Sequence, residues 1–180
     1  MSIDFEALKK LALECGFSYV GNLNADTIRV IPEVRAACAE NKCGKYGKNW
    51  VCPPACGTLE ECEKRLRSYK NGLILQSTAE LEDEFDWEGM KALADRHAQV
   101  FHIFADRLRE QYPNALILGD GACNRCRTCT YPDAPCRFPE RQSSPMEAFG
   151  MVVSEVCKLN QIPYSYGVGT LTYIGCVLIE

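Results

Sequence analysis

Apolar and polar positions follow two periods along the chain, one helical and one extended. Phe5, Leu8, Leu11, Ala12 and Cys15 recur at helical spacing and predict a helix over residues 4–14, ended by Gly16. Residues 17–21 read as a short strand, and Pro32 to Cys38 as a helical turn. A helix is expected from Thr58 to Tyr69, where Thr58 and Glu61 stand three apart as a capping box requires. Residues 72–77, around Leu73-Ile74-Leu75, and residues 115–118 read as buried strands. Between them, Trp87 to Gln111 predicts a long helix with Met90, Leu93, His97, Phe101, Phe104 and Leu108 on one face. A further helix is expected over residues 145–159, with Ser144 as its N-cap and Glu147 three residues after the cap. Residues 162–166 and 171–179 read as a closing hairpin around Gly167–Gly169.

Strands interleaved with helices predict an α/β sandwich with a mixed sheet. The 180 residues show no linker or low-complexity tract, so one domain is expected over residues 1–180. Apolar residues make up 47% and charged residues 24%, which excludes a disordered chain. A net charge of −4 argues against a general nucleic-acid binder. Charges at Asp4, Glu6, Lys9 and Lys10 leave no signal-peptide core at the N-terminus, and no apolar run nears the ~18 residues of a membrane span. The expected location is the cytoplasm, with no membrane partner.

Cysteine changes this plain picture, at 12 of 180 residues. In a reducing compartment that many cysteines indicate metal more often than disulfides. Cys123, Cys126, Cys129 and Cys136 form a C-x2-C-x2-C-x6-C run. Two-residue spacers on a tight loop wind the chain around a common centre. Structural zinc sites use two separated pairs of ligands, whereas three cysteines at consecutive two-residue spacings resemble an iron–sulfur loop. A cubane [4Fe–4S] cluster on these four cysteines is the leading expectation, and zinc the alternative.

Cys38, Cys43, Cys52 and Cys56 are spaced less regularly, and the metal they would hold is not legible from spacing. A second four-cysteine cubane is expected there. A three-cysteine variant, Cys38, Cys43 and Cys52 with one iron open to a small ligand, is a further option. Cys62 falls inside a predicted helix and reads as a packed residue, as do Cys15, Cys157 and Cys176 in their own elements. Trp50 and Tyr131 lie within the cysteine regions and are expected to shield a site from water.

Basic residues accompany the cysteines: Lys42, Lys45 and Lys48 in the first region, Arg125, Arg127, Arg137 and Arg141 in the second. They suit an anionic cluster, a solvated surface, or a surface that docks a redox protein. His97 and His102 are five apart, where helical zinc pairs stand three or four apart, so both read as packing or surface residues. There is no P-loop, dinucleotide fingerprint or nucleophile elbow.

Three segments together carry a family resemblance. They are Cys38 and Cys43 followed by Tyr46 to Pro54, the run from Cys123 to Arg137 with Ser144 to Gly150, and the ending Gly169 to Gly175. On these the sequence resembles an uncharacterised bacterial and archaeal family of predicted metal-binding proteins, domain of unknown function 2284. The resemblance implies metal binding through cysteine and implies no reaction. The expected function is electron transfer by an iron–sulfur protein with two cubanes. The alternatives are a structural zinc or metallochaperone module, and an iron–sulfur enzyme with an open cluster position. Whether the protein is an enzyme stays open at this point.

Overall fold

The computed structural model describes residues 3–180. A five-stranded mixed sheet runs β1 (Tyr19–Asn24), β2 (Asn71–Glu80), β5 (Thr170–Ile179), β3 (Leu116–Gly119), β4 (Ser144–Pro145) in spatial order. All neighbouring pairs are antiparallel except β3 with β4. Helices α1 (Phe5–Cys15) and α4 (Trp87–Gln111) cover one face, and α3 (Leu59–Leu66) and α5 (Val153–Leu159) the other, with α2 (Pro32–Ala37) near the second group. The α/β sandwich with a mixed sheet is therefore what the chain forms.

Both faces of the sheet are buried, which explains the consecutive apolar residues Leu73–Leu75 and Leu116–Leu118. In β2, Leu73 and Leu75 face α1 and α4, while Ile74 faces the opposite core. In β5, Val177 and Ile179 take the first side, and Ile174, Cys176 and Leu178 the second. Phe17 meets Phe101 and Phe104 edge-on in the first core.

Most predicted elements form close to where the pattern put them. Asp4 caps α1, and Gly16 closes it in the left-handed region at φ +114°. Thr58 and Glu61 form the full capping box of α3. The strand expected at residues 17–21 starts later, at Tyr19.

Two expectations fail. Ser144 does not cap a helix over 145–159: it pairs with Leu118 as the edge strand β4, and Met146–Phe149 is a single 3-10 turn. Gly150 then breaks the path at φ +72°, its carbonyl accepting from the Ile31 N–H at 2.8 Å. A Cβ there would sit 3.1 Å from the Ile31 backbone. Only the shorter α5 follows, without a side-chain cap. The closing hairpin also fails, because β5 pairs with β2 and β3 at the centre of the sheet. Residues 162–166 form no strand. Pro163 offers no N–H to a ladder, and Gln76 binds the segment instead, donating to Pro163 O at 2.7 Å and accepting from Tyr166 Oη at 2.6 Å.

No helix among the described residues is long and apolar enough to cross a membrane.

Candidate metal centres

The cysteine regions meet at the β3–β4 edge of the sheet. One leaves α2 and returns through α3; the other leaves β3 at Gly119 and returns through β4. All twelve cysteines are free thiols.

Cys123, Cys126, Cys129 and Cys136 line one small cavity of about 30 Å³. Asn49, Trp50 and Val51, from the other cysteine region, complete its wall. The Trp50 ring meets Tyr131 edge-on at 4.9 Å, and its Nε1–H donates to Ala134 O at 3.2 Å. Trp50 thus belongs to one cysteine region in sequence and covers the other in space.

Cys38, Cys43 and Cys52 line a second, wider cavity of about 470 Å³ with Lys42, Lys45, Tyr46, Asp120 and Glu147. Cys56 is not in this wall. It packs against the core under α3, where the Cys62 thiol donates to its backbone carbonyl at 3.7 Å. Burial pushes the Cys38 and Cys52 thiols above their ordinary value, and the Asn49 side chain opposes this at Cys52.

The two cavities adjoin twice. Val51 lines the small one and Cys52 the wide one; Cys123 lines the small one and Ala122 the wide one. Each pair is consecutive in sequence, so its Cα atoms stand about 3.8 Å apart. Asn49 shapes the first junction. It is buried at 4% exposure, and its Oδ1 accepts from the N–H groups of Val51 at 3.1 Å and Cys52 at 2.9 Å. Its Nδ2 donates to Lys45 O at 3.1 Å.

The arginines of the second region do structural work. Arg125 grips Asp106 of α4 with both Nη atoms, at 2.9 and 2.7 Å, and Arg141 binds the same carboxylate from the other side. Burial raises the Asp106 carboxyl, but the two guanidinium groups outweigh it and hold the group below its usual range. Arg137 donates to Thr128 O at 2.8 Å, within its own loop. Lys42 pairs with Glu40 at 2.6 Å. Reading these residues as a free docking surface is therefore corrected for Arg125 and Arg141, which fasten the loop to α4.

The capped helix expected beside the second region is also absent, since Ser144 is strand; the α3 cap stands behind the first region. His97 is 1% exposed, as a packing residue should be, but it also links the core to the wide cavity. Its Nδ1 is 2.8 Å from Ser77 Oγ, and its Nε2 is 3.7 Å from Oδ1 of Asp120. Asp120 and Glu147 join Cys38, Cys43 and Cys52 in the wall of that cavity only through the fold, since no spacing rule connects them to a cysteine site. Burial, and then Asp120, raise the Glu147 carboxyl.

Among the described residues, no three His, Cys, Asp or Glu side chains form a ready-made ion site. The donor sets nonetheless fit a thiophilic metal. Four thiols share one wall in the small cavity and three in the wide one. The model of a family of predicted metal-binding proteins, DUF2284, matches residues 21–179. The chain belongs to this family. The match takes in every cysteine named as a candidate ligand and all of the sheet, apart from the first two residues of β1. No curated protein and no solved structure matches the chain.

Proposed function

We propose that the protein is an iron–sulfur electron carrier with two neighbouring [4Fe–4S] centres. Cys123, Cys126, Cys129 and Cys136 hold one. Cys38, Cys43 and Cys52 hold the other, with its fourth position facing the wide cavity. The observation that carries this reading is the pair of shared junctions, Val51–Cys52 and Ala122–Cys123, at which consecutive residues line different cavities. Two centres this close suit electron movement between them, which remote sites would not. The C-x2-C-x2-C run supports iron–sulfur chemistry over zinc at the first centre. A redox protein is the partner this function requires, and the cytoplasm is the compartment that keeps the thiols reduced.

When bound, the clusters supply the one-electron chemistry. The chain's own residues set the surroundings: Trp50 and Tyr131 cover the four-cysteine centre, and Asn49 orients the Cys52 backbone.

A structural zinc site at Cys123, Cys126, Cys129 and Cys136 is the second reading. The small size of this cavity, about 30 Å³, suits a single ion more closely than a cluster. Metal and acid-labile sulfide content of protein purified without oxygen separates the two readings. About eight irons and eight sulfides, with visible absorbance that bleaches on reduction, support two cubanes. A colourless protein carrying one or two zinc ions overturns the electron-carrier reading.

A further inference from the structure

We propose that residues 80–88 and 163–169 form a docking surface for a basic protein, one that presents lysines and arginines around an apolar patch. Of the ten large hydrophobic side chains that stand exposed among the described residues, five belong to these two short segments. They are Phe85 and Trp87, each 70% exposed, with Tyr164, Tyr166 and Val168. Apolar residues exposed singly are ordinary, but exposed aromatics gathered in one place mark an interface. The two segments meet. Glu80 ends β2 opposite Thr170, the first residue of β5, and the Leu81 N–H donates to Gly169 O at 2.8 Å.

Both segments are held in shape, so the exposure is built into the fold. Asp83 Oδ1 accepts from the Phe85 N–H at 2.7 Å. The Asp86 carboxylate accepts from the N–H groups of Glu82 at 3.2 Å and Gly89 at 2.8 Å. Gln76 secures the second segment through Pro163 and Tyr166, and Thr170 Oγ1 donates to Gly167 O at 2.8 Å. Aromatic side chains on a fixed backbone lose little freedom on binding. Strand direction places this surface at the end of the sheet from which the second cysteine loop leaves. β2 and β3 both run antiparallel to β5, so Glu80 and Gly119 close their strands at the same end.

Charge identifies the partner. Residues 80–88 hold Glu80, Glu82, Asp83, Glu84, Asp86 and Glu88 and no lysine or arginine. Among the described residues, none of these six acids is in an ion pair. Residues 163–169 carry no charge. A surface that is aromatic and of one negative sign fits an apolar patch with a positive rim. A second copy docked across a two-fold axis would set these acids against one another. A copy docked through its own Lys42, Lys45 and Lys48 would leave an open face and grow into a filament. The occupant is therefore a different, basic chain. No cysteine belongs to this surface, so the inference stands apart from the reading of the metal centres.

The probe is cytochrome c, a protein whose lysines ring an exposed apolar edge. Its association with the full-length protein, as purified with its metal, is followed by surface plasmon resonance at about 20 and about 200 mM salt. The substituted side chains are all exposed, so each variant should keep the wild-type thermal midpoint and metal content. E82Q/E84Q/E88Q is expected to slow association at least about tenfold at the lower salt and to flatten the salt dependence. F85A/W87A removes the aromatic anchors and is expected to speed dissociation at least about tenfold. E6Q/E14Q/E110Q removes three exposed charges elsewhere and should stay within about threefold of wild type in both rates. Absence of binding overturns the proposal, as does equal slowing in the two charge variants or unchanged dissociation in F85A/W87A. A wild-type oligomer in sedimentation that F85A/W87A disperses also overturns it, because a second copy is then the occupant. The test reads binding and not electron transfer, so its outcome is independent of which metal the centres hold.

Discussion

His97 and Asp120 face each other behind the wide cavity, Nε2 to Oδ1 at 3.7 Å, beyond hydrogen-bonding distance. His97 Nε2 is buried without a partner, while Nδ1 meets Ser77 Oγ. Burial lowers the imidazole below its ordinary 6.5; Asp120 opposes that shift and Arg96 adds to it. The remaining groups around the ring are Phe17, Phe101 and Tyr173. Asp120 therefore does not supply enough attraction to charge the ring at neutral pH.

A His held neutral in the folded state makes stability fall on acidification. Below about 6.5 the unfolded chain takes up the proton while the folded ring still resists it, so unfolding gains protons and is favoured. The contribution is complete at neutral pH and above, and drains away as pH falls below about 6.5. Thermal midpoints of wild type and H97Q, followed from about pH 8 to pH 5, are expected to converge on acidification. Parallel curves for the two proteins would show that His97 is not held neutral.

Asn49 carries a second expectation. Replacing it with Ala removes the acceptor of two backbone N–H groups and the donor to Lys45 O, in a buried position. Each stranded buried group costs about 1–3 kcal/mol, so N49A should lose roughly 2–4 kcal/mol of stability, water relieving part of the sum. Because Val51 and Cys52 line different cavities, metal content should drop at both centres. Denaturant unfolding measures the first effect and metal analysis the second. Loss of metal at one centre alone would mean that the junction is not shared.

Much of this architecture is legible in the sequence because it is local. The capping box of α3, the Gly16 stop and the long apolar face of α4 depend on residues within a turn or two of each other. So does the convergence of Cys123, Cys126, Cys129 and Cys136. The failures are long-range. Ser144–Pro145–Met146–Glu147 has every local mark of a helix start, yet Ser144 is claimed by Leu118 and the following turn by the close approach of Gly150 to Ile31. Residues 162–166 look like a strand, but Gln76 reaches across to bind them. In the first cysteine region, one stretch of chain holds both Cys52 and Cys56, and only the tertiary fold turns one toward the cavity and the other toward Cys62. Arg125 and Arg141 read as free charge because their partner, Asp106, sits on a different element.

Serine substitutions divide the first region. C38S, C43S and C52S should each strip metal from the wide cavity, since all three thiols line it. C56S should leave metal content within error of wild type. Metal per chain, measured on protein prepared without oxygen, distinguishes the variants. Equal loss in all four would return Cys56 to the ligand set and remove the open position from the proposed centre.

Asp106 provides the last test, because it anchors the four-cysteine loop without belonging to it. Its carboxylate takes both Nη atoms of Arg125, whose side chain is 9% exposed, and is bound by Arg141 as well. D106A leaves the buried Arg125 guanidinium with only a 3.4 Å contact to His102 O. Hydrogen bonds to charged groups contribute about 1.5–3 kcal/mol, and Asp106 is itself partly exposed, so a loss near 2 kcal/mol is expected. The loop from Cys123 to Cys136 then loses its fastening to α4, and metal should leave the small cavity faster on chelator challenge than in wild type. Metal in the wide cavity should respond much less, because Cys38, Cys43 and Cys52 come from the other loop. D106E, which keeps the charge but moves it by one methylene, should fall between the two. If D106A is destabilised while chelator release stays at the wild-type rate, the arginine clamp supports the fold alone and does not control the centre.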